Sequence, residues 1–233
     1  MAGGAQAFSP ASRERLTDYD LDRFPEDTLF HRLARAVCHA GCLPRKELYE
    51  AWETARRTRR LFRGRRVFDL AGGHGLLAHV MLLLDDSSPR AIVVDTTLPP
   101  SHVTLHEALL TTWPRLRGRI EFVEGPLDAV EVFPADIAVS IHACGDLTDR
   151  VLECAVGARA RVAVLPCCHD FATCDAGRLA GWVERSLAID VLRATRLERQ
   201  GYHIWTQTIR SEITPKNRLL LGAPDEGDGT SAA

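Results

Sequence analysis

The chain has 233 residues, of which 45% are hydrophobic and 26% charged, the balance of an ordinary globular protein with room for one large core. A formal net charge of −2 excludes a strong whole-molecule field for nucleic acid while leaving space for a local basic patch, and no apolar run is long enough to span a bilayer. Seven cysteines, an odd number with Cys167 and Cys168 adjacent, make a poor disulfide framework and point to a reducing, cytoplasmic setting.

Residues 1–12 and 224–233 are rich in small and polar residues and are expected to be disordered. From Asp27 to Arg60 the pattern is helical. Leu29, Leu33, Ala36 and Val37 form one apolar stripe, Leu43-Pro44-Arg45 breaks it, and Leu48, Ala51, Trp52 and Ala55 form a second. Two helices are therefore expected over 13–63, packed on the segment that follows.

From Arg66 onward strands and helices alternate. Apolar runs at Val67–Leu70, Ala91–Asp95, Ile120–Val123, Ile137–Ile141 and Arg161–Leu165 read as strands. They are separated by helical stretches at Leu76–Leu84, His102–Trp113 and Leu147–Cys154. A helix over Leu179–Arg196 then leads into an antiparallel pair at Tyr202–Ile209 and Arg218–Leu221. Fully apolar strands alternating with helices imply a mostly parallel sheet covered on both faces. The expected fold is a three-layer, Rossmann-like α/β domain over 64–223 with an N-terminal helical appendage.

The first strand runs into Asp69-Leu70-Ala71-Gly72-Gly73-His74-Gly75. Glycines between a strand and a helix allow a tight turn and a close backbone approach to a ligand, although such a loop alone can be only a turn. The spacing is too compact for the dinucleotide fingerprint. Asp95 ends the second strand, where a carboxylate can accept hydrogen bonds from both ribose hydroxyls of a nucleoside.

The order of strand, D-x-x-x-G-x-G loop, helix and strand ending in Asp resembles the S-adenosylmethionine domain of class I methyltransferases. The resemblance covers about two thirds of the chain. It implies that Asp69, Gly72, Gly73 and Gly75 hold the methionine end of that cofactor and Asp95 its ribose. Ala71 stands where the family has the first glycine, a departure that adds only a methyl. After the third strand, a backbone amide near Leu127, or Asp128, is expected at the adenine.

In an open parallel sheet, ligands sit beyond the carboxyl ends of the strands. The fourth strand ends in Ser140-Ile141-His142-Ala143-Cys144-Gly145-Asp146, and the fifth in Pro166-Cys167-Cys168-His169-Asp170. His142 and His169 are candidate general bases, since imidazole titrates near neutral pH; His142 would also border the cofactor, and Asp146 could orient a histidine. Either histidine could instead be a hydrogen-bonded structural residue. The nearby cysteines have ligand chemistry for zinc, but without a C-x-x-C pair no metal is assigned. These two stretches resemble a smaller methyltransferase group that includes the eukaryotic 2′-O-methyltransferases of the tRNA acceptor stem. The zinc-binding modules that accompany those enzymes are absent from this chain.

Two basic features bear on the acceptor. Arg56, Arg57, Arg59, Arg60, Arg63, Arg65 and Arg66 fall within eleven residues with no acid among them, a run able to bind RNA phosphates. Lys216, in the turn between the last two strands, could steer a phosphate or depress the pKa of a hydroxyl. An aromatic content of 6% leaves few platforms for base stacking. The leading expectation is methyl transfer to RNA; a small-molecule or protein acceptor, or a non-catalytic cofactor-binding scaffold, are the alternatives.

Overall fold

The computed structural model describes residues 8–225. One seven-stranded sheet contains β1 (Val67–Leu70), β2 (Ala91–Asp95), β3 (Ile120–Glu124), β4 (Ile137–Ser140), β5 (Arg161–Val164), β6 (Tyr202–Thr208) and β7 (Arg218–Pro224), in the spatial order β3-β2-β1-β4-β5-β7-β6. β1 to β5 are mutually parallel, and β7 runs antiparallel to both β5 and β6. The helices are α1 (Leu29–Ala40), α2 (Arg45–Leu61), α3 (Leu76–Leu84), α4 (Ser101–Thr112), α5 (Leu147–Gly157) and α6 (Arg185–Arg199).

The central strands β1, β2 and β4 are buried along almost their whole length, as fully apolar parallel strands require. One core lies under α1, α2, α3 and α4, the other under α5 and α6. α3 is apolar on every side because α2 covers the face it turns away from the sheet. The N-terminal helices thus share a core with the sheet: Leu33, Val37, Leu48 and Ala51 join Leu77, Val80 and Val93 in one cluster.

Residues 8–12 depart from the expected disorder. Phe8 packs edge-on against Phe24 at 5.7 Å, and the Arg45 guanidinium stacks 3.6 Å from its centroid; the Lys46 amide donates to the Ser12 carbonyl. An aromatic ring under a guanidinium fixes a segment whose composition is otherwise that of a free tail. β7 continues to Pro224, and the Asp225 amide donates to Gly201. Residues 1–7 and 226–233 lie outside the described residues. The expected helix after β5 starts later, at Arg185, capped by Glu184, which accepts from the Ser186 and Leu187 amides; Leu179–Gly181 is a separate 3-10 turn. Among the described residues no helix is long and apolar enough to cross a membrane.

Candidate active site

Strand order reverses between β1 and β4, so their carboxyl ends open a crevice of the kind in which open α/β sheets bind ligands. Register fixes what meets there. Asp69 pairs with Val93 on one side and Val139 on the other. Gly72, Asp95 and His142, two or three residues further along, therefore leave the sheet at nearly one level. Val139 in turn pairs with Ala163, which brings the Cys144 loop beside the Cys167-Cys168 loop.

The glycine loop is as tight as expected. A Cβ on Gly72 would lie 2.8 Å from Val93 and from Asp69, and one on Gly75, at φ +73, 2.9 Å from Phe122 and Val93. Gly73, at φ +51, faces open space. Ala71 also lies in the left-handed region, at φ +55. Its methyl is thus a source of backbone strain of about 1–2 kcal/mol rather than a neutral addition. Beneath the loop, His79 is fully buried: its Nδ1–H donates to the Gly75 carbonyl at 2.6 Å, and its Nε2 accepts from His106 Nδ1 at 2.9 Å.

Two cavities adjoin at this end of the sheet. The first, about 360 Å³, is lined by Ala71 to His74, Asp95 and Leu147, among others. The second, about 400 Å³, is bordered by Arg13, Lys46, Lys216 and the Cys167-Cys168 pair. Glu47, His142 and Cys144 line both and form the wall between them. The Asp95 carboxylate faces the first cavity while accepting the Gly73 amide at 2.9 Å. Asp69 is fully buried, with Oδ2 accepting from the Ala78 amide and Oδ1 without a partner; burial raises its pKa to about 7. Leu127 and Asp128 line neither cavity: Leu127 packs into the second core and Asp128 points to solvent.

The two histidines separate. His142 shows 36% of its side chain to the cavities, and its Nε2 is turned inward, without a hydrogen bond, 3.9 Å from Glu50 Oε2. Burial, then the charges of Lys46 and His74, lower its pKa to about 4, so the ring is neutral at physiological pH. His169 is 2% exposed at its side chain and lines neither cavity. Its Nε2–H donates to Asp190 at 2.8 Å inside a network that also holds Arg193, Arg218 and Asp149. His169, expected as a candidate base, thus faces this ionic network and neither cavity. Asp146 is exposed at the start of α5 and bonds neither histidine; the carboxylate facing His142 is Glu50, from α2. Lys216 stands on the rim of the second cavity beside Cys168.

Sequence reasoning missed Glu47, Lys46 and Glu50. Lys46 Nζ bonds Glu50 at 2.6 Å, and burial followed by the Glu50 charge raises the Glu47 pKa to about 7. In sequence the three look like the solvent face of an ordinary helix, and only the packing of α2 across the crevice turns them inward. The arginine run, in contrast, is largely consumed internally. Glu53, just upstream and buried, takes Arg56 at 2.9 Å and Arg57 at 2.6 Å. Arg65 donates to the Ala135 carbonyl, and Arg66 pairs with Asp136. Arg60 and Arg63 are exposed.

Residues 46–173 match the model of a methyltransferase-domain family, and the chain belongs to that family. Its fold is shared with solved structures of low identity. An O-methyltransferase family protein from Burkholderia thailandensis is 18% identical with a TM-score of 0.52 over 90% of this chain and 64% of that one. The S-adenosylmethionine-dependent methyltransferase SibL, in its apo form, is 16% identical with a TM-score of 0.53 over 94% of this chain and 71% of that one. The chain thus spans less than two thirds of the Burkholderia protein's length. No curated protein is significantly similar to it in sequence.

Proposed function

We propose that the protein is an S-adenosylmethionine-dependent methyltransferase whose acceptor enters the second cavity and meets the cofactor at the wall of Glu47, His142 and Cys144. That shared wall carries the reading: two adjoining ligand-sized spaces, one floored by the glycine loop, are separated by an imidazole with no hydrogen-bond partner.

The residues fit the cofactor. Gly73 leaves room above the loop and Asp95 offers a carboxylate to ribose hydroxyls in the first cavity, while Asp69, buried beneath the loop and outside the cavity lining, accepts the Ala78 amide at the start of α3. The cofactor supplies a methyl group on a sulfonium, so the protein's task is chiefly alignment. His142, neutral and with Nε2 turned inward to Glu50, takes the proton of a hydroxyl acceptor at Nδ1. Glu50 orients the ring as the acceptor closes on it, because a loose apo contact tightens in a working complex. Arg13 and Lys216 give the second cavity a basic rim that draws an anionic acceptor, while Lys46 is paired with Glu50.

The acceptor assigned is RNA, with a ribose hydroxyl of tRNA as the acceptor group. The basic rim, the exposed Arg60 and Arg63, and the resemblance of the His142–Thr148 and Pro166–His169 stretches to the acceptor-stem enzymes support this. The internal pairing of Arg56, Arg57 and Arg66 favours a second reading, a small anionic metabolite. Methyl transfer from tritium-labelled cofactor, run in parallel on total RNA, protein and metabolite extracts, tests both. Label in RNA upholds the first and label in metabolites the second. Cofactor binding without any transfer would leave a scaffold.

A further inference from the structure

The sulfur atoms of Cys144, Cys167 and Cys168 all lie within 4.8 Å of one another, with Cys144 and Cys167 at 3.3 Å. Nothing in the methyl-transfer reading uses them as a group. We propose that these three thiols bind one zinc ion, with the fourth coordination position open to the second cavity.

The spacing suits a single ion. Zn–S bonds of about 2.3 Å at tetrahedral angles place thiolates roughly 3.8 Å apart, so small side-chain rotations bring all three onto one metal. The ligands come from two loops that are locked together before any metal arrives. The Gly145 amide donates to the Cys168 carbonyl at 3.0 Å, and Arg193 donates to the Gly145 carbonyl at 2.8 Å. His169, next to Cys168, is held by Asp190, which pairs in turn with Arg193. The residues following Cys144 and Cys168 thus hang from one buried ionic network. This explains why a histidine, an arginine and two aspartates are packed together behind a pair of loops. Such outer partners fix ligand direction in metal sites.

The donor set selects the metal. Three thiolates and no oxygen ligand exclude magnesium and calcium and favour soft or borderline ions. Three protein ligands are one short of a four-cysteine iron–sulfur site. Three ligands with a free position facing a cavity is the arrangement zinc takes when water or substrate completes its tetrahedron. Lys216, which lines the second cavity with Cys168, offsets the surplus negative charge of three thiolates on a divalent ion. The cavity also sets the thiols apart from Cys38, buried in apolar surroundings, and from Cys174, buried against the Arg193 guanidinium at 3.5 Å.

The test uses the full chain purified under reducing conditions. Metal analysis by mass spectrometry should find about one equivalent of zinc. Replacement with cobalt(II) chloride should give thiolate-to-cobalt charge-transfer bands in the near ultraviolet and tetrahedral ligand-field bands in the red. Adding a small thiol should shift the ligand-field bands, since it can occupy the open position. Cys144→Ser and Cys168→Ser should each weaken metal affinity by at least about 10-fold, and His169→Gln, which alters only an outer partner, by about 10–100-fold. Cys38→Ser, in the core under α1 and away from the two loops, should retain the metal. Circular dichroism on every variant separates unfolding from ligand loss. Absence of zinc and of cobalt–thiolate absorption in the folded wild type overturns the site, as does unchanged affinity in the cysteine variants. Bound copper(I), or a Cys144–Cys167 disulfide in metal-free protein, overturns the zinc assignment. Unshifted bands overturn the open position.

Discussion

The Asp95 carboxylate accepts the Gly73 amide at 2.9 Å, tying the end of β2 to the loop after β1. One side chain therefore fixes the loop and presents an acceptor to the first cavity. Asp95→Ala should weaken S-adenosylmethionine binding by roughly 1.5–3 kcal/mol for each charge-assisted bond lost, read by calorimetry. Asp95→Asn, whose amide oxygen can still accept from Gly73, should fall between the two. Equal binding by all three proteins would move the ribose contact elsewhere.

The loop's backbone makes a graded stability prediction. Gly75→Ala combines φ +73 with contacts of 2.9 Å to Phe122 and Val93 and should cost about 2–4 kcal/mol. Gly73→Ala meets no atom within 4 Å and should cost only about 1–2 kcal/mol. Ala71→Gly relieves φ +55 and should be neutral or stabilising, because the relief offsets the added unfolded-state entropy. Chemical denaturation at fixed pH checks the ranking, and an equal cost at Gly73 and Gly75 would contradict it.

Asp69 and His79 give stability opposite pH dependences. The folded Asp69 carboxyl titrates near 7 against an ordinary value of 3.8. Between those limits the folded state holds a proton that the unfolded chain has lost, so this contribution falls as pH rises. His79 is displaced down to about 3 from 6.5; there the unfolded chain holds the extra proton, and stability falls as pH drops. Asp69→Asn removes the first effect alone. Its stability relative to wild type should climb by about 1.4 kcal/mol per pH unit between pH 4 and 7 and then level off. A difference independent of pH would show that Asp69 is not held protonated.

The arginine run should behave as structure before it behaves as an RNA surface. Replacing Arg56 and Arg57 together by Ala strands the buried Glu53 carboxylate and should cost at least about 1–3 kcal/mol. Replacing the exposed Arg60 and Arg63 should leave stability within about 0.5 kcal/mol. Thermal melts distinguish the pairs, and equal melting temperatures for both double variants would contradict the assignment.

Much of this was readable in the chain itself. The five parallel strands announce themselves as short apolar runs, and the Asp69–Gly75 loop and Asp95 mark the first cavity, because local patterning decides them. What escaped detection depends on packing. His142 and His169 carry the same signal in sequence, two histidines at neighbouring strand ends, and only packing against Asp190 of α6 turns one of them away from the cavities. Glu47 and Glu50 read as solvent-facing charges until α2 lies across the crevice. The three thiols share no short motif because two loops, 23 residues apart between Cys144 and Cys167, bring them together. Ala71 looked harmless because composition does not reveal φ.

The central claim is that His142 stands between bound S-adenosylmethionine and the acceptor and receives the acceptor's proton. The measurement that tests it most directly is the single-turnover methyl-transfer rate of His142→Ala against wild type, on the extract fraction that wild type labels, with cofactor affinity measured on the same samples. The expected result is a rate lower by about 10²–10⁴ with cofactor affinity nearly unchanged. A wild-type rate in the variant, or a wild-type protein that binds neither S-adenosylmethionine nor its demethylated product, would contradict it.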